Sequence, residues 1–82
     1  MYYAYAIYSE STGKIYVGMS SDPHARLLAH NHPANKGWTK SFRPWILIYV
    51  EEFESKSDAL ARETELKSCR GREFIRGLIK KN

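Results

Sequence analysis

The sequence predicts an α/β fold of the α+β type: a small three-stranded antiparallel sheet flanked by about three helices. Three observations predict it. Two runs rich in tyrosine and β-branched residues, 2–9 and 14–19, flank a short polar stretch ending in Gly13, which is a hairpin signal. A third apolar run, 45–50, opens a further strand. Asp22-Pro23 and Ser55-Lys56-Ser57-Asp58 are helix-start signals in the remaining segments.

The hairpin is expected to close on a three-residue loop with Gly13 at the position that needs positive φ. If Glu10 then faces Lys14, Tyr8 faces Tyr16 and Ala6 faces Gly18. Tyr3, Tyr5, Ile7, Ile15, Val17 and Met19 fall on one face, which reads as core. Ala4, Ala6, Tyr8, Lys14, Tyr16 and Gly18 fall on the other, where two tyrosines beside very small residues leave room for a ligand. Tyr2, Tyr3, Tyr5 and Tyr49 read as ordinary strand aromatics.

The first helix is expected over 23–31, capped by Ser21 or Asp22, with Pro23 in the first turn and Leu27 and Leu28 on its apolar side. Arg26 and His30, at i and i+4, share a face. The third strand, 45–53, begins with an unbroken apolar run, which suggests coverage on both faces and a central place in the sheet. A second helix should run to about Ser68, with Ala59, Leu60 and Leu66 as its stripe and Glu63 in the middle of that stripe. A carboxylate there is costly without a cation or donors, so Glu63 marks either a buried ion pair, an exposed helix edge or a site. The last helix, 72–80, should point Phe74, Ile75 and Leu78 inward.

Eighty-two residues form a single domain, 1–82, too short for an active site assembled between two domains. No apolar stretch approaches the ~18–20 residues of a membrane span, and a cleaved secretory signal is not expected. Cys69 is the lone cysteine and cannot make an internal disulfide, which suits a reducing cytosol, so a cytoplasmic protein without a membrane partner is expected. His24, His30, His32 and Cys69 lack zinc-type spacing.

The net charge of +4 is unevenly placed. Residues 51–65 hold six acidic and two basic side chains, whereas 66–82 hold six basic and one acidic. A basic end of this kind attracts polyanions, nucleic acid first among them. Lys67, Arg70 and Arg72 lie in that end, and Lys14 adds a charge on the hairpin. The connection 32–43 interleaves Lys36, Lys40 and Arg43 with Trp38 and Phe42, a pattern that suits backbone tracking with base stacking; Trp38 packing over the core edge is an equal alternative.

The candidate site therefore holds Tyr8, Tyr16, Arg26, His30 and Glu63, drawn from two strands and two helices. In this order and spacing the chain resembles the GIY-YIG nucleases, and within them the small stand-alone (YhbQ-like) branch. Ala6-Ile7-Tyr8 stands for the first motif and Tyr16-Val17-Gly18 for the second; Arg26 and His30 follow on a helix, and Ala59-Leu60-Ala61-Arg62-Glu63 resembles the stretch that bears the family's metal-binding glutamate. Glu63-Thr64-Glu65-Leu66-Lys67-Ser68, followed by Gly71-Arg72-Glu73, resembles the C-terminal part of that branch. Ala6 replaces the glycine of the family name, Val17 replaces isoleucine, and Met19 stands where threonine is frequent.

The resemblance implies a metal-dependent endonuclease that hydrolyses phosphodiester bonds in DNA or RNA, with one Mg²⁺ (or Mn²⁺) on Glu63. Arg26 would neutralise charge on the phosphoryl oxygens, and His30 would donate to a phosphate or relay a proton. A tyrosine, Tyr8 rather than Tyr16 on this reading, would deprotonate the attacking water, with Arg26 and the metal favouring its phenolate. Family members act in repair, restriction, recombination and homing, usually with an added targeting domain. With no room for one here, recognition of single or branched strands is expected, alone or through a homodimer or larger protein partner. Two rival readings are a catalytically inactive nucleic-acid-binding module and a protein adaptor using the acidic block.

Overall fold

The computed structural model describes residues 1–34, 37 and 41–80. Their elements are β1 (Tyr2–Ser9), β2 (Lys14–Ser20), α1 (Pro23–Asn31), β3 (Trp45–Phe53), α2 (Lys56–Lys67) and α3 (Cys69–Lys80). The three strands form one antiparallel sheet in the order β2-β1-β3, so the expected fold class holds. The order itself corrects one expectation: β1 is central, and β3 lies at an edge. Both faces of β1 are covered, and Ala4, Tyr5, Ala6 and Ile7 are almost wholly buried, whereas Ile46 and Val50 of β3 remain 41% and 42% exposed. An apolar run therefore overstated the burial of β3, and the small alanines of β1 understated theirs.

The hairpin loop has four residues rather than three. Ser9 pairs with Lys14, the Gly13 N–H donates to the Ser9 carbonyl (2.8 Å), and the Thr12 hydroxyl donates to Ser9 Oγ (2.8 Å). Gly13 takes φ +74°, as expected of the glycine in this turn. The extra residue shifts the register by one, pairing Tyr8 with Ile15, Ile7 with Tyr16 and Tyr5 with Gly18. Because side chains alternate between faces, that slip changes which tyrosines meet.

One face of the sheet carries Ala4, Ala6 and Val17, on which Leu66 of α2 and Ile75 of α3 pack; Ile15, Ile48, Tyr49, Phe53, Leu78 and Ile79 complete this cluster. Leu66 and Ile75 are fully buried, which contributes roughly 1.5–3 kcal/mol each. The other face carries Tyr5, Ile7 and Trp45, with Tyr16, Leu27, Phe42 and Leu47 around them. Only Leu27 of the α1 leucine pair packs there; Leu28 is 72% exposed. Leu60 and Phe74 are likewise exposed rather than inward, since Ala59, Leu66 and Ile75 already fill the space beneath the sheet. Phe74 lies edge-on against Tyr49, with the Arg62 guanidinium over its ring.

Asp22 is the cap of α1 and accepts from the Ala25 N–H (3.1 Å); Ser55 caps α2 by accepting from the Asp58 N–H. Helix α3 begins at Cys69, earlier than the sequence suggested. Asn31, at the end of α1, accepts from the Trp45 N–H (2.6 Å) and donates to its carbonyl (3.0 Å). This pair of hydrogen bonds fixes α1, the helix that carries Arg26 and His30, to the first residue of β3.

Candidate active site

The register places Tyr5, not Tyr8, beside Tyr16. Tyr5 is 1% exposed, and its hydroxyl lies 3.2 Å from His30 Nε2. The Tyr16 and His30 rings are 4.7 Å apart, and the Tyr5 ring is 6.4 Å from each of them. His30 is itself buried, at 7% exposure. Tyr8 lies on the opposite face, beside a cavity of about 170 Å³ lined also by Glu10, Ile46, Ile48 and Ile79. The expectation that Tyr8 joins the site fails because the hairpin loop is one residue longer than assumed. No local signal in 9–14 fixes the loop length, so the sequence alone did not single out Tyr5.

Gly18 makes the arrangement possible. A Cβ at this position would stand 2.7 Å from the Tyr5 hydroxyl oxygen and 2.8 Å from the ring carbon that bears it, inside any normal contact. Tyr5 thus lies across bare backbone, and only glycine leaves space for it.

Arg26, exposed on α1, faces both tyrosine hydroxyls and is held firmly protonated, first by Tyr5. Burial pushes the Tyr5 phenol up; Arg26 pulls it down, while Tyr16 and Glu63 push it further up. Burial therefore outweighs the arginine, and Tyr5 is a neutral phenol at neutral pH. The expected pull of Arg26 toward phenolate is present at Tyr5, but burial exceeds it. His30 is lowered, first by burial and then by Arg26, so it is a neutral imidazole able to accept a proton.

Glu63 is half-buried, with 21% of its side chain exposed, on a helix packed against both β1 and β2. Its carboxylate pairs with Lys67 Nζ at 3.5 Å. Its charge reaches the Tyr5 phenol, as the smallest of the influences on that group. Its neighbour Arg62 points elsewhere, bonding Glu51 and Glu65 at 2.9 Å each and tying α2 to β3. Among the described residues no group of three or more His, Cys, Asp and Glu forms a metal cage. A single half-buried carboxylate fits a hard divalent ion that keeps most of its waters.

Of the basic positions expected to meet nucleic acid, Lys67 and Arg72 flank Tyr16 along the outer edge of β2. Lys14 is exposed at the start of that strand. Arg70 lines a different cavity, of about 360 Å³, with Arg62, Glu65 and Phe74. Arg43 donates to the His32 carbonyl (2.8 Å) and ties the two ends of the connection together. Lys36, Trp38 and Lys40 lie outside the described residues.

The family model for the GIY-YIG catalytic domain matches residues 1–74. UPF0213 proteins of Staphylococcus aureus, strains Mu3 and COL, are 41% identical over 70 residues, which cover 85% of this chain and 84% of theirs. The solution NMR structure of a UPF0213 protein from Bacillus halodurans is similar, with a TM-score of 0.55 at 28% identity, over 95% of this chain and 85% of that one. No helix among the described residues is long and apolar enough to cross a membrane. The fold and these matches agree: the chain belongs to the GIY-YIG family of nuclease domains, in its small stand-alone branch.

Proposed function

We propose that this protein is a divalent-metal-dependent endonuclease that hydrolyses phosphodiester bonds in nucleic acid, DNA before RNA, and selects strand structure rather than sequence. The observation that carries the reading is the buried hydrogen bond between Tyr5 and a neutral His30, set beside Arg26. A pure binding surface has no use for a proton acceptor buried at the foot of a cationic face.

Glu63 is the residue that would hold Mg²⁺ or Mn²⁺; when bound, the ion supplies Lewis-acid stabilisation of the phosphoryl oxygens and of the leaving oxygen. Arg26 supplies fixed positive charge to the same phosphoryl group. Tyr16, half-buried and against the His30 ring, orients the attacking water. His30 accepts the water's proton through Tyr5: the hydroxyl passes its own proton to Nε2 as it takes the water's, and no free phenolate forms. Burial, which opposes the phenolate, favours this relay.

The test is cleavage of end-labelled single-stranded, duplex, flap and branched DNA, and of RNA, with Mg²⁺, Mn²⁺ or EDTA. Metal-dependent cutting by wild type, abolished by Glu63→Ala and reduced about 10²–10³-fold by Arg26→Ala, is the expected result. Binding without cutting of any substrate would transfer the protein to the inactive binding-module reading.

A further inference from the structure

We propose that Lys67 and Arg72 form a phosphate-binding groove at the open edge of β2, and that Lys67 exchanges between Glu63 and a substrate phosphate, so that cation and nucleic acid bind cooperatively. The inference rests on the nuclease reading and describes how that site loads.

The groove, about 190 Å³, is lined by Ile15, Tyr16, Val17, Lys67 and Arg72. Among the described residues it holds two cations and no carboxylate, beside a strand that has a neighbour on one side only. That volume is below the range of pockets that enclose whole small molecules, and an open cationic groove of this size suits a single phosphate with part of its sugar. Tyr16 belongs to both the groove and the Tyr5–His30 cluster, so the groove and the site meet at this residue. Arg72 is oriented by its Nε, which donates to the Lys67 carbonyl (3.3 Å). Among the described residues its remaining N–H groups have no partner, and they are available to a phosphate.

Lys67 faces two ways. Its ammonium is 3.5 Å from Glu63 Oε2, one helical turn away, yet the side chain also lines the groove. An i, i+4 pair of this kind, with the lysine 54% exposed, is weak and yields readily. Before loading, Lys67 offsets the Glu63 carboxylate, which would repel a polyanion beside the cluster. A divalent ion on Glu63 takes over that role and repels the ammonium, which the groove then receives. Each ligand thereby favours the other, by equal factors.

The experiment measures binding. Isothermal titration with Mn²⁺ alone is run on wild type and Lys67→Met. Anisotropy of a fluorescein-labelled single-stranded 15-mer, confirmed intact by gel afterwards, is run with and without Mn²⁺ on wild type, Lys67→Met, Glu63→Gln, the double variant and Arg72→Gln. Lys67→Met is expected to bind Mn²⁺ about three- to tenfold tighter and to lose most of the Mn²⁺-dependent gain in oligonucleotide affinity. Glu63→Gln is expected to tighten metal-free oligonucleotide binding more in the wild-type background than in Lys67→Met, because it releases the lysine. Arg72→Gln should weaken oligonucleotide binding, lower its salt slope by about one, and leave Mn²⁺ affinity unchanged. Unchanged Mn²⁺ affinity in Lys67→Met, or an equal effect of Glu63→Gln in both backgrounds, overturns the exchange. Wild type that binds neither Mn²⁺ nor the oligonucleotide overturns the nuclease reading along with it, so the two failures are distinguishable.

Discussion

The ring of Tyr5 lies across the backbone of Gly18 so closely that a single methyl group there would stand 2.7 Å from the tyrosine hydroxyl. Tyr5 is 1% exposed, so it can relieve that contact only by displacing its packed neighbours. Gly18→Ala is therefore expected to cost about 1–3 kcal/mol of stability through overpacking. Cleavage should fall further than that loss explains, because the hydroxyl leaves His30. Urea denaturation and initial cleavage rates on one preparation separate the two effects; a stable variant with full activity would mean that Tyr5 need not hold this position.

Tyr5 and Tyr8 make a contrasting pair. Tyr5→Phe removes the hydroxyl bonded to His30 and should lower the cleavage rate about 10²-fold, at a stability cost near 1 kcal/mol. Tyr8→Phe, on the face covered by α3, should change the rate by no more than about twofold. Single-turnover rates with excess enzyme decide between them. The reverse ranking would restore Tyr8 to the site and refute the hairpin register.

Burial and Arg26 lower the His30 pKa below that of a free imidazole, ~6.5. Between the folded value and ~6.5, the unfolded chain binds more protons than the folded one, so stability rises with pH across that window. The contribution is present above ~6.5 and is lost as pH falls through the lowered folded value. Urea midpoints measured from pH 7.5 down to pH 5 should decline in wild type and flatten in His30→Asn. A decline that persists in the variant belongs to another group.

Asn31 holds the Trp45 peptide group with two hydrogen bonds. Asn31→Ala leaves both Trp45 backbone groups without those bonds and should cost about 1–3 kcal/mol. Because the same contact anchors the helix bearing Arg26 and His30, Arg26-dependent cleavage should also fall. Thermal melts and cleavage assays check this, and Asn31→Asp tests the N–H half alone, since a carboxylate still accepts from Trp45 but cannot donate.

The sequence by itself determined the elements and pointed to several residues of the candidate site. Tyrosine-rich and branched runs broken at Gly13, a proline after an aspartate cap and a serine cap before α2 act locally, so the strand and helix bounds fall close to where the residues placed them. Arg26 and His30 were legible as a pair because i, i+4 spacing on a helix needs no tertiary knowledge. Glu63 was legible as an anomaly because a carboxylate among apolar neighbours demands a partner. Only the tertiary structure decided which tyrosine joins them. Strand faces alternate every residue, so one extra residue in the Ser9–Lys14 turn exchanged Tyr8 for Tyr5, and no local propensity fixes that count. Strand order was decided in the same way: β1, rich in alanine, became central because helices can approach it closely on one face while α1 covers the other. The field at the site also belongs to the fold, since burial, set by packing around Tyr5, outweighs the neighbouring arginine and keeps the phenol neutral.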